Sequence, residues 1–147
     1  MLEEELLAVW LRLTSVIDNQ RLAASHISEG QETLSFNEAM VCGLLAKAQT
    51  AGACLTASDL CRQTCILKSQ MNAILRSLER KGFVSRCKSG QDRRRIELRL
   101  LPEGAGPYRE CHRRSVAIVR GLIDRLGEQE ARSLLILLRR TVDIFDE

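Results

Sequence analysis

Apolar residues recur along most of this chain at helical spacing, and at one place the period changes to two. From Leu2 to about Ala24 they fall at Leu6, Val9, Trp10, Leu13 and Ile17, one stripe of a long helix. Gly30 interrupts the pattern. Ser35 and Glu38 stand in capping-box spacing, each side chain able to accept from a backbone N–H at a helix start. A helix is therefore expected to about Gln49, ended by Gly52. Thr56-Ala-Ser-Asp59 repeats the cap signal before a short helix through about Thr64. The next helix, from about Lys68 to Lys81, stops at Gly82, a residue suited to the left-handed conformation past a helix end. Its apolar members Met71, Ile74, Leu75 and Leu78 share one face and must point inward.

After Gly82 the period shortens. Phe83 to Lys88 reads as a strand, and Ile96, Leu98 and Leu100 alternate with Arg95, Glu97 and Arg99 as a half-buried second strand. Ser89-Gly-Gln-Asp92 supplies the turn, so the pair is a hairpin. Pro102 opens another helix at a position where its missing N–H costs nothing, with Gly104 and Gly106 loosening its start. The pattern continues through Val116, Val119, Leu122, Ile123 and Leu126 to Gly127, and a very apolar helix fills about 128 to 145. No repeat or low-complexity linker interrupts this order. The fold class is mainly α with a small β-hairpin wing.

Charge changes the picture. Residues 66–100 hold ten Lys or Arg against three acids, +7 in a chain whose formal total is +3, so the remainder carries −4. A compact basic unit is suited to a polyanion. The outer face of the helix from Lys68 carries Ser69, Gln70, Asn72, Ala73, Arg76 and Arg80, without the Glu/Lys pairs of a merely solvated face. Two short helices and a hairpin in this order make a winged helix-turn-helix. Its second helix fits the major groove of duplex DNA, where Gln and Asn can bond two atoms of adenine and Arg76 can reach guanine or phosphate. The hairpin tip, Asp92-Arg93-Arg94, suits a narrow, strongly negative minor groove.

Other classes recede. Five aromatic residues in 147 are too few for a base-stacking platform. No apolar run approaches the roughly 20 residues of a membrane span. The acidic start MLEEELLAVW is unlike a signal peptide, so a cytoplasmic protein is expected. His26 and His112 lie in different segments with no paired carboxylate or nucleophile motif, so no catalytic role and no cofactor are expected. The cysteines (42, 54, 61, 65, 87 and 111) include no C-x-x-C pair and are expected to be reduced and mostly buried, with Cys61 and Cys65 meeting on one helix face. A thiol or metal switch through Cys111-His112, joined by Cys42 or His26, stays open as an alternative. So does a winged helix used to bind protein.

The run Leu78-Glu-Arg-Lys-Gly-Phe-Val-Ser-Arg86, then Asp92-Arg93-Arg94, then Ile96-x-Leu98 and Pro102-Glu-Gly104 resembles the signature of the MarR transcription regulators. The helix order is similar over nearly the whole chain. The resemblance implies one domain over 1–147: a winged helix-turn-helix at about 35–101, with dimerisation helices at 1–30 and 102–147. It implies a homodimeric, ligand-responsive repressor on a palindromic operator, with a small aromatic or anionic effector bound between the dimerisation helices and the winged helix. Asp92 would brace the wing and Arg94 enter the minor groove. The DNA-contacting set is then Lys68, Ser69, Gln70, Asn72, Ala73, Arg76, Arg86, Asp92, Arg93 and Arg94. Two positions depart from the family pattern: Leu101 replaces a usual Thr, and Ala73 stands where Arg is frequent. The last helix is apolar nearly all round, which independently asks for burial across a two-fold axis; a tightly wrapped monomer is the alternative.

Overall fold

The computed structural model describes residues 1–25 and 34–147; His26 and Gly30 lie outside them. Two compact units divide at His112, residues 1–112 and 113–147. In the first, α1 (Leu2–Ser25) opens with Glu3, Glu4 and Glu5, acids that complement the positive end of the helix dipole. The stripe Leu6, Val9, Trp10, Leu13 and Ile17 is present on it, and every member is exposed within this chain.

α2 (Phe36–Thr50) starts at the predicted capping box: Ser35 Oγ accepts from Glu38 N–H at 3.2 Å, and Glu38 Oε1 accepts from Ser35 N–H at 3.3 Å. Glu38 is also buried, and its second oxygen takes Lys81 Nζ at 2.8 Å and Ser77 Oγ at 3.4 Å. One carboxylate thus caps a helix and anchors the end of another. α3 (Ala57–Thr64) has the same box from Thr56 and Asp59. It ends at Cys65, whose φ of 58° is left-handed, a conformation usually left to Gly or Asn. α4 (Lys68–Arg80) buries Met71, Ile74, Leu75 and Leu78, as the periodicity predicts, and Gly82 follows at φ +73°.

The hairpin pairs β1 (Val84–Lys88) with β2 (Ile96–Leu100), Val84 opposite Leu100 and Lys88 opposite Ile96. Leu98 N–H donates to Leu55 O at 2.8 Å, so the residues before α3 add a one-bridge third edge that the sequence does not announce. Gln49 clamps the same strand, its Oε1 accepting from Leu100 N–H at 2.7 Å. Val41, Cys42 and Leu45 of α2, Leu60 of α3, the α4 face, Phe83, Val84, Leu98 and Leu100 form one core. Burying a side chain of this size contributes about 1.5–3 kcal/mol.

Two expectations are corrected. Ile96 is 46% exposed: it lies at the tip end of the hairpin, and only Leu98 and Leu100 of this strand join the core. Gly104 does not loosen the start of α5 (Pro102–Leu126). It is buried so tightly that a Cβ there would lie 2.7 Å from Phe83 Cβ and 2.8 Å from Phe83 O. Only glycine lets this helix approach the root of the hairpin.

The second unit holds the rest of α5, Gly127 at φ +93°, and α6 (Glu128–Asp146). Glu128 and Arg132 pair one turn apart at 2.6 Å. No residue of α6 is buried within the chain; Phe145, for instance, is 74% exposed. Among the described residues no helix is long and apolar enough to cross a membrane.

Candidate nucleic-acid interface

The inward face of α4 dictates its outward one. With Met71, Ile74, Leu75 and Leu78 locked in the core, Lys68, Ser69, Gln70, Ala73, Arg76 and Arg80 are exposed and Asn72 partly so. Ser69, Ala73, Arg76 and Arg80 fall on one stripe at i, i+4, i+7 and i+11. Hydrogen-bonding groups therefore gather at its first turn and guanidinium groups at its last, with only a methyl from Ala73 between them. The N-terminal end has no acid in its first turn, which leaves its positive dipole end available to an anion.

The hairpin tip is built from local backbone bonds. Ser89 is buried, and its Oγ accepts from Gln91 N–H at 3.3 Å and Asp92 N–H at 3.4 Å. Asp92 O accepts from Arg95 N–H at 3.0 Å, and Asp92 Oδ1 accepts from Arg94 N–H at 3.0 Å. Asp92 thus spends its carboxylate on the turn. Arg93 and Arg94 are exposed, and neither side chain has a partner among the described residues.

Three of the ten cations counted in residues 66–100 are committed elsewhere. Lys81 holds Glu38, as above. Arg86, a member of the sequence-derived set, pairs with Glu79 and so ties β1 to α4. Arg95 reaches back from beside the hairpin tip: its Nη2 lies 3.2 Å from Cys54 O and 3.4 Å from Asp59 Oδ2, and its Nε lies 3.7 Å from Glu97. Lys68, Arg76, Arg80, Lys88, Arg93, Arg94 and Arg99 have no ion-pair partner among the described residues. The basic surface is smaller than the sequence count and sharper, because the paired residues set the angle between the helix and the hairpin.

Asp59 joins both jobs. The Thr56 backbone N–H bonded to its carboxylate holds it below the ordinary carboxylate value, burial opposes this, and the Thr56 hydroxyl, Arg95 and Arg62 add to the lowering. Asp59 and Arg95 position the wing. The sequence marked Asp59 only as a helix cap and counted Arg95 only as charge, since a contact across 36 residues leaves no local signal.

The thiols differ from expectation. Only Cys42 is buried; Cys65 and Cys87 are exposed and the others intermediate. Cys65 sits past the end of α3 rather than on a shared helix face with Cys61. Burial, then nearby Glu38 and Cys111, push the Cys42 thiol up to about 12 despite the opposing Lys81. A hydrogen bond to Glu97 likewise raises the Cys54 thiol. His112 stacks at a tilt on Tyr108, ring centroids 5.8 Å apart. Among the described residues no three of His, Cys, Asp and Glu converge as metal ligands.

Comparison with known proteins bears on the same region. A family model described as MarR family matches residues 32–95. The HTH-type transcriptional regulator FarR of Neisseria gonorrhoeae is 44% identical over 52 residues, 35% of this chain. The matched stretch spans 36% of FarR's own length. Streptococcus pneumoniae FabT, solved in complex with DNA, is similar over 95% of this chain and 96% of its own, at 25% identity and a TM-score of 0.73. A S. aureus MepR–DNA complex gives a TM-score of 0.76 at 21% identity, covering 94% of this chain and 96% of MepR.

Proposed function

The chain is a MarR-family winged-helix protein, and from that premise we propose that it is a homodimeric repressor that reads a palindrome in duplex DNA. The observation that carries this reading is the set of exposed cations without partners on α4 and the hairpin, beside the polar first turn of α4. Ser69, Gln70 and Asn72 are offered to base edges in the major groove. Lys68 and Arg76 neutralise phosphate or read guanine, and Arg93 and Arg94 enter the adjacent minor groove on a tip that Asp92 holds. Arg86 contributes by fixing β1 to Glu79. Ala73 offers only a methyl, so direct readout falls to Ser69, Gln70 and Asn72 before it and to Arg76 after it.

The division of labour is residues 35–101 for DNA, and 1–30 with 102–147 for self-association. In support, α1 and α6 each display apolar side chains that are exposed among the described residues, Trp10 at 49% among them. Contiguous uncovered apolar surface of this kind marks an interface. A two-fold axis would set two α4 helices one helical turn of DNA apart. Release follows if a small aromatic or anionic effector alters that spacing, since a shift of a few Å breaks register with successive major grooves.

Selection of bound duplexes from a random pool by the full chain tests this. Enrichment of a palindrome with half-sites about 10 base pairs apart, centre to centre, is the expected result. Enrichment of nothing at low salt would leave a winged helix that binds protein.

A further inference from the structure

Leu67 breaks two local rules at once. It is the N-cap of α4: its φ of −64° and ψ of 148° are extended, and its carbonyl accepts from Met71 N–H at 2.8 Å, closing the first turn. Ser, Thr, Asp and Asn fill such positions because their side chains accept from a free N–H. The two preceding helices obey that rule with full capping boxes, but α4 has no side-chain cap at all. Leu67 is also 73% exposed, the most exposed large apolar residue of the described winged helix, ahead of Phe36 at 50% and Ile96.

Its surroundings say what kind of partner suits it. Lys68, Ser69 and Gln70 follow directly and are all exposed, and Lys68 and Arg76 have no ion pair among the described residues. An apolar protein surface covering Leu67 would have to bury those cations unpaired. Duplex DNA supplies phosphates for them and, on the floor of the major groove, one apolar group among the base edges: the C5-methyl of thymine. We propose that Leu67 is a specificity-determining residue, packing on a thymine methyl next to the bases met by Ser69 and Gln70. The assignment rests on the DNA-reading function proposed above.

Deoxyuridine pairs like thymidine and lacks only the methyl, so it isolates the contact. Duplexes enriched by the wild-type chain are remade with deoxyuridine at each half-site thymine in turn, and affinities are measured by fluorescence anisotropy. At one symmetric position wild type is expected to lose about fourfold per methyl removed, the worth of one buried carbon. Leu67→Ser, which restores a capping oxygen and keeps the fold, should bind the thymidine and deoxyuridine forms equally, as should Leu67→Ala. Equal wild-type affinity for both forms at every position overturns the assignment, as does a Leu67→Ser protein that still distinguishes them. If wild type binds no duplex, the DNA reading itself falls; if it binds with no methyl dependence, only Leu67 loses its role.

Discussion

The winged helix and the terminal helices treat their apolar residues in opposite ways. Residues 34–100 bury theirs within the subunit: Leu45, Leu60, Met71, Leu75 and Leu78 are almost wholly removed from water. α6 buries none, and the described side chains of α1 are all exposed, although both helices carry many large apolar side chains. The first region is stabilised by its own packing, about 1.5–3 kcal/mol per large side chain. The second leaves its apolar side chains exposed, and under the proposed function the same hydrophobic gain is reserved for association. If the proposed function holds, reading and pairing are separate, so that one can be damaged while the other survives.

The largest effect should come from the uncovered helices. Leu137→Glu with Ile144→Glu places charges on exposed apolar positions of α6. The expected outcome is a monomer by light scattering with an intact winged-helix CD signal. Affinity for the selected palindrome should fall by about 10²-fold or more, because the second half-site no longer binds as part of one molecule. A dimer that persists would show that α6 is not the interface.

Next is the joint at the hairpin root. Gly104→Ala pushes a methyl into Phe83, and the cost of such overpacking is about 1–3 kcal/mol, measured by urea unfolding. Association should be unaffected. Gly106→Ala makes a matched control, since a Cβ there meets nothing within 4 Å.

Nil at neutral pH, and developing only in alkali, is a pH effect confined to the core. The folded pKa of Cys42, about 12, exceeds the ordinary 9.0, so above pH 9 the unfolded chain loses this proton first and the native state is penalised. Stability should be indifferent to this group below pH 9. It should then fall by about 1.4 kcal/mol per pH unit toward pH 12, relative to Cys42→Ala. Equal slopes for the two proteins would mean that water reaches the thiol.

Legibility followed range. Ser35 with Glu38, Thr56 with Asp59, and the inward quartet of α4 were readable because caps and periodicity involve residues three or four apart. Cys65 in a left-handed turn was not, since no glycine marks it. Nor was the Leu55 bridge, which needs Leu98 beside it. The candidate site was half legible. Position on α4 and at the hairpin tip follows from pattern, but Lys81, Arg86 and Arg95 look like any other cation until their carboxylates are in place. Gly104 illustrates the same limit: in sequence a glycine near a helix start reads as slack, and only Phe83 reveals close contact.

The central claim is that cations without partners meet phosphates and groove edges while paired cations hold the scaffold. It is tested most directly by the salt dependence of binding to the selected duplex for wild type, Arg94→Ala and Arg86→Ala. Each lost phosphate-type contact should reduce the slope of log affinity against log salt by about one. Arg94→Ala is expected to flatten the slope by about that amount per subunit, and Arg86→Ala to weaken binding with the slope nearly unchanged. A wild-type slope in Arg94→Ala, or the larger flattening in Arg86→Ala, would contradict the account.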